Sequence, residues 1–171
     1  NLYKSVWPLK SDGSIQSDKE LYQNLRTNRV AGVSANRIKE FAKEVIESSE
    51  IELQNVIEDN MIIDEIISHI VVDRTIKHDD GPFHWYCVEN DCNPHNFFWY
   101  ENPTSNKVHL IPWDLDAVFE NIITQNIIFD DWGQTSNNCM PFHFGSNSKK
   151  QKSAACDKLT RGWAGFTTKY E

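Results

Sequence analysis

The sequence contains no apolar run approaching the roughly 20 residues that a membrane-spanning helix needs, and no signal-peptide pattern opens it. It has no internal repeat and no low-complexity tract, which removes solenoid arrays and disordered linkers from consideration. It also lacks an excess of positive charge. Lys and Arg number 17 against 25 Asp and Glu, a formal charge of −8. Without a basic stripe, nucleic acid is excluded as the main partner, because phosphate contacts need clustered Lys and Arg. The one basic cluster, Lys149-Lys150-Gln151-Lys152, reads as a solvated loop.

What remains is a chain of 171 residues, 39% of them apolar, enough for one sizeable core. A single domain over residues 1–171 is expected, without membrane insertion. The chain opens on Asn1-Leu2-Tyr3-Lys4 without Met and stops soon after the apolar Trp163 and Phe166, so a piece cut from a longer protein is expected. The four cysteines are spaced in two short intervals, Cys87 to Cys92 and Cys139 to Cys156. Two local disulfides and an oxidising compartment follow from that spacing. Free buried thiols are one alternative, and a metal site near His78, His84 and His95 is another. The C-x4-C spacing without a second such pair suits structural zinc poorly.

Ser17-Asp18-Lys19-Glu20 has the form of a capping box, predicting a short helix from there to Arg26. Ser34 is placed to cap a second helix, whose Ile38, Phe41, Ala42, Val45 and Ile46 fall on one face. From Asn60 to Thr75, Met61, Ile62, Ile63, Ile66, Ile67, Ile70, Val71 and Val72 cover more than half of a helix circumference, which predicts a central buried helix. After Lys77 the composition is that of a loop. The runs Asn96 to Tyr100 and Lys107 to Ile111 then flank Asn102-Pro103-Thr104-Ser105-Asn106, predicting a β-hairpin. Asp116 to Phe129 is expected to be helical or mixed, and residues 130–157 loop-rich. The predicted fold class is α+β, mostly helical.

Asp79, Asp80, Asp91, Asn96, Asp114 and Asp116 all fall at the ends of these elements, where a rigid scaffold aims side chains into a shared cleft. Oxygen ligands of this kind suit Mg²⁺ or Mn²⁺, held by one or two carboxylates together with substrate phosphates. Phosphoryl transfer in protein kinases uses parts in the same order: a buried helix, a loop with an acceptor-orienting Asp and a metal-binding Asn, then a hairpin leading to a second metal-binding Asp. Asp80, Asn96 and Asp114 occupy those places, although neither His-Arg-Asp nor Asp-Phe-Gly is present.

The segments Val72-Asp73-Arg74, Asp80-Gly81-Pro82-Phe83, His95-Asn96-Phe97-Phe98-Trp99-Tyr100 and Ile111-Pro112-Trp113-Asp114-Leu115-Asp116 together resemble the CotH (spore coat protein H) kinase family. So do Asn1-Leu2-Tyr3-Lys4 and Leu25-Arg26-Thr27-Asn28, and the likeness spans most of residues 1–160. The resemblance implies a secreted or cell-surface atypical protein kinase, transferring phosphoryl from ATP to Ser or Thr of a secreted, coat or surface protein with Mg²⁺ or Mn²⁺. It implies a kinase-like C-lobe with a catalytic hairpin. Carried over residue by residue, Asp80 matches the catalytic Asp, Asn96 the metal-binding Asn, Asp114 the Asp after the hairpin that grips the metal bridging the ATP phosphates, and Asp116 the second acidic residue beside it.

Two departures from the pattern stand out. Asp80 lies sixteen residues before Asn96, with Cys87 and Cys92 inside the excursion. Asp91, five residues before Asn96, is therefore a rival for the catalytic role, and Asp79 a third candidate. No N-lobe with a glycine-rich loop and phosphate-binding Lys precedes these residues, so tight ATP binding by the chain alone is not expected.

Plainer readings stand beside these. Any one Asp at an element end serves as a cap or turn residue. Asp73-Arg74 reads as an internal ion pair, His95 as a group orienting Asp114 or a backbone carbonyl, and Trp7, Phe97, Trp99 and Trp113 as core aromatics. Asp114-Leu115-Asp116 after an apolar strand also suits a metal-dependent glycosyltransferase. A non-catalytic surface protein that keeps the fold is the remaining alternative.

Overall fold

A computed structural model describes residues 1–30, 32–78, 80–89, 91–116, 118–119, 139–143 and 150–166. The order is β1 (Leu2–Lys4), α1 (Asp18–Asn24), α2 (Asn36–Glu47), α3 (Leu53–Asn60), α4 (Ile63–Ile76), β2 (Trp85–Val88), β3 (Asp91–Asn93), β4 (Phe97–Glu101), β5 (Val108–Pro112), β6 (Phe142–His143), β7 (Lys150–Lys152), a 3₁₀ turn (Ala154–Cys156) and α5 (Lys158–Ala164). Two antiparallel sheets form, in the orders β1-β4-β5 and β3-β2-β7-β6. The architecture is α+β, as predicted.

The predicted cap at Ser17 forms, its side chain accepting the Glu20 N–H at 3.2 Å. Only half of the capping box is made, because the Ser17 N–H turns to Gln16 Oε1 instead of Glu20. The helix stops at Asn24, two residues before its predicted end, where Leu25 becomes extended and bridges to Tyr3. In α2 the expected apolar face is buried except for Ile46 at its rim. Its cap is not Ser34. Ala35 stands at that position without a side-chain bond, and the Ile38 N–H donates to the buried Glu101 carboxylate at 2.9 Å. A tertiary acceptor thus takes one of the orphan donors that a local cap would otherwise satisfy.

The central helix predicted over Asn60–Thr75 forms as α4 (Ile63–Ile76), but it starts three residues later than predicted, because Asn60 closes a separate helix, α3. The Asn60 amide donates to Val56 O and to Glu44 Oε2, both at 2.7 Å, and accepts from Arg37. Lys107 Nζ takes the carbonyls of Glu58 and Met61 at 2.8 and 3.0 Å. With the last carbonyls of α3 satisfied sideways, the chain extends at Met61 and restarts as α4. Nor is α4 buried all round: Ile63, Ile66, Ile67 and Ile70 face the core, whereas Val72 is 51% exposed.

The core is organised on Trp7. Its ring lies edge-on to Trp85, Phe97, Trp99 and Trp163, with centroids 5.3–5.9 Å apart, so one side chain ties both sheets to α5. The predicted hairpin is β4–β5, and the alternation of β4 places Phe97, Trp99 and Glu101 inward. Both predicted disulfides form: Cys87–Cys92 across β2 and β3, and Cys139–Cys156. The region after Lys77 is therefore not a plain loop. Residues 150–152, expected in a solvated loop, pair with β2 as β7, and Lys152 Nζ donates to Ser11 O. Asp79, Lys149 and most of 116–149 lie outside the described residues.

Candidate functional site

The site is built where α4 ends. Lys77 adopts the left-handed conformation at φ 52°, and the N–H groups of Lys77 and His78 return to Arg74 O and Asp73 O. This is the Schellman pattern, made here without glycine. It folds His78 back against the helix that has just ended. The His78 ring is fully buried, with Nδ1 3.3 Å from Asp73 Oδ2 and Nε2 3.1 Å from the backbone oxygen of Asp114. The Nδ1 contact is an ion-pair distance, not a well-formed hydrogen bond. Burial by itself works against a proton on His78. The Asp73 carboxylate, with the Asp114 carbonyl and Asp80 adding to it, outweighs that penalty and raises the pKa above the ordinary histidine value.

Asp80 follows two residues later, and Gly81 explains how the loop passes. A Cβ at Gly81 would stand 2.6 Å from both Asp73 Oδ2 and His78 Nδ1. Only glycine lets this backbone run over the buried pair. The chain then makes the β2–β3 hairpin, closed by Cys87–Cys92, and returns to Asn96. There the Asn96 amide donates to Asp80 Oδ2 at 2.9 Å, so the sixteen-residue excursion begins and ends at one point. His95 Nδ1 lies 3.8 Å from Asp80 Oδ1, both side chains nearly half exposed. His95 thus flanks Asp80 and not, as expected, Asp114 or a carbonyl.

The β4–β5 hairpin brings in Asp114. Beyond its last pair, Phe97 with Pro112, the Trp113 N–H donates to Asn96 O at 3.1 Å. Asn96 and Asp114 therefore flank the base of one hairpin, and each takes a left-handed turn, at φ 55° and 56°. Outside glycine that conformation is most accessible to Asn and Asp. Asp114 and Asp116 are exposed, and their carboxylates make no hydrogen bond among the described residues. Trp113, expected in the core, is 46% exposed; it packs edge-on against Phe98 under the Lys4 ammonium.

Asp80, Asn96 and Asp114 are thus brought to one edge. Asp91 lies on β3 with its carboxylate accepting from Ser11 at 3.3 Å, and among the described residues it makes no bond to Asn96. The sequence reading pairs Asp73 with Arg74 and places His78 only beside a possible zinc site. The ion pair of Asp73 is with His78, while the Arg74 guanidinium lies 5.7 Å from the Phe83 ring centroid. The legible signal was a His two residues ahead of Asp80 at a helix end.

The oxygen donors fit a hard divalent cation. With its amide nitrogen committed to Asp80, Asn96 keeps Oδ1 free, and Asp114 offers an unengaged carboxylate. Among the described residues no three His, Cys, Asp or Glu converge as a closed cage. An ion held by one carboxylate, one amide oxygen and substrate phosphates needs none.

A protein-family model described as CotH kinase protein matches residues 3–147, and the chain belongs to that family. No curated protein matches the chain.

Proposed function

We propose, from membership of the CotH kinase family, that residues 1–171 form the catalytic portion of a secreted or surface protein kinase. It transfers the terminal phosphoryl of ATP to a Ser or Thr hydroxyl of an extracytoplasmic protein. The fold reading is a kinase-like C-lobe, with α4 leading into the catalytic loop and β4–β5 as the hairpin that delivers the metal-binding Asp. The two disulfides fit an oxidising compartment, and among the described residues no helix is long and apolar enough to cross a membrane.

The observation that carries this reading is the Asn96–Asp80 hydrogen bond with Trp113 bonded to the same Asn96. It supports Asp80, not Asp91, as the residue that orients the acceptor hydroxyl and receives its proton. Asn96 Oδ1 and the Asp114 carboxylate are the groups that would hold Mg²⁺ or Mn²⁺, and Asp116 the group that supports a second ion or its shell. A bound divalent ion would supply charge neutralisation on the transferring phosphoryl. The chain's own part is to fix these side chains on a disulfide-closed loop and a hairpin base, so that positioning and electrostatics lower the barrier. His78-Asp79-Asp80 stands where kinases carry His-Arg-Asp, and the His78 bond to Asp114 O ties that loop to the metal-binding turn.

The test is transfer of ³²P from ATP to a generic acceptor protein with Mn²⁺ or Mg²⁺, using the full-length protein that carries this chain. Asp80→Ala and Asp114→Ala, both folded, abolish a metal-dependent signal, whereas Asp91→Ala retains it. A well-folded parent that neither binds ATP nor transfers phosphoryl would replace the kinase reading with that of a surface-binding protein.

A further inference from the structure

One buried charge stands directly behind this edge. Asp73 is 2% exposed and neither carboxylate oxygen accepts a hydrogen bond. Its ion-pair partner, His78, reaches the Asp114 carbonyl with the opposite ring nitrogen. On the other side the Gly81 backbone, next to Asp80, rests on both members of the pair. The pair therefore touches both arms of the proposed site while staying out of solvent.

Stability alone does not account for a carboxylate here. A buried polar group without hydrogen bonds costs about 1–3 kcal/mol, and more if charged. Buried ion pairs often add nothing over well-packed apolar residues. Of the neighbouring inward positions on α4, Ile66 and Ile70 are apolar, and burial lowers the pKa of His69, one turn before Asp73, to about 4, so the helix has no general need for charge on that face.

The chemistry of the contacts does account for it. A carbonyl only accepts, so His78 Nε2 must carry a proton to bond Asp114 O. The buried Asp73 carboxylate, 3.3 Å from the opposite ring nitrogen, fixes how the ring lies, so that Nε2 stays aimed at Asp114 O.

We propose that Asp73 is a positioning residue for phosphoryl transfer, holding the left-handed Asp114 turn through His78 and the Asp80 loop through the Gly81 backbone. It touches neither metal nor substrate. The inference rests on the assignment of Asp80 and Asp114 made above.

The test is Asp73→Asn in the full-length protein, with Mn²⁺ affinity read by electron paramagnetic resonance beside a non-hydrolysable ATP analogue, and kcat and KM for ATP read in parallel. Loss of a group that orients a metal ligand typically costs about 10–100-fold in metal affinity or activity. A weakening of Mn²⁺ binding in that range is expected, with part of the rate recovered at saturating Mn²⁺. A carboxylate with a purely structural role would lower Tm and leave Mn²⁺ affinity unchanged. Glu65→Gln serves as control, since Glu65 lies on the same helix but pairs with His109, and it leaves affinity unchanged. Should Asp73→Asn fail to fold, His78→Gln removes the ring through which Asp73 reaches Asp114 O and carries the same expectation. Wild-type affinity in Asp73→Asn, with affinity lost in Asp114→Ala, overturns the positioning role and leaves the kinase reading standing. Affinity retained in Asp114→Ala overturns both.

Discussion

Replacing Gly81 by Ala separates the stability of the fold from the placement of its candidate catalytic residues. The added methyl would stand 2.6 Å from Asp73 Oδ2, 2.6 Å from His78 Nδ1 and 3.1 Å from His78 Cγ, where ordinary contact begins at 3.4 Å. None of these atoms is the free end of a flexible surface chain; Asp73 and His78 are buried and paired. Gly81 does not have a positive φ, so the cost is steric and not one of backbone strain. Overpacking of this kind costs about 1–3 kcal/mol, offset by about 0.4–1 kcal/mol from the stiffer unfolded chain of Ala. In a chain of this length that lowers Tm by about 2–8 °C. The cheapest relief is movement of the half-exposed Asp80, just before Gly81, away from the buried pair. A displacement near 1 Å at a reacting group is worth about 10²-fold in rate. Gly81→Ala is therefore expected to be folded, modestly destabilised in urea, and impaired about 100-fold in phosphoryl transfer. Wild-type transfer with the stability loss intact would refute the link between this packing and the position of Asp80.

Asn96→Gly keeps the left-handed backbone and removes the amide, so transfer is lost with Tm nearly unchanged, whereas Asn96→Ala also loses about 1 kcal/mol to the positive φ. Burial depresses the pKa of His69 and of His84 to about 4 from 6.5. Above pH 6.5 both states hold these rings neutral; between 6.5 and 4 only the unfolded chain binds the protons. Stability then falls by about 1.4 kcal/mol per pH unit per ring, saturating below pH 4, and His69→Asn flattens that acid limb in pH-dependent urea titrations. Chain-entropy arithmetic assigns about 2 kcal/mol to Cys87–Cys92 and about 3 kcal/mol to Cys139–Cys156, so the Cys139→Ser/Cys156→Ser pair is the more destabilised in urea. Equal losses would show that loop length does not govern them.

Features written in local sequence were legible, and features made by distant partners were not. The Ser17 cap, the buried face of α2, the β4–β5 hairpin and both disulfides follow from spacing within about twenty residues. The break between α3 and α4 does not, because Asn60 and Lys107 make it with partners on other elements. The start of α2 was misplaced for the same reason: Glu101, far along the chain, does the work expected of Ser34. Strands β1, β2 and β7 are three or four residues long and exist through non-local pairing. At the site, Asp80, Asn96 and Asp114 were nameable from their order along the chain. The Asp73–His78 support was hidden, since a Schellman turn on a non-glycine residue carries no sequence signal.

The most direct test of the central claim is a crystal of the full-length protein grown with Mn²⁺ and a non-hydrolysable ATP analogue, read by anomalous scattering. A manganese peak about 2 Å from both Asn96 Oδ1 and the Asp114 carboxylate, with the Asn96–Asp80 bond intact, is the predicted result. Manganese and nucleotide bound elsewhere, with Asp114 unengaged, would contradict it.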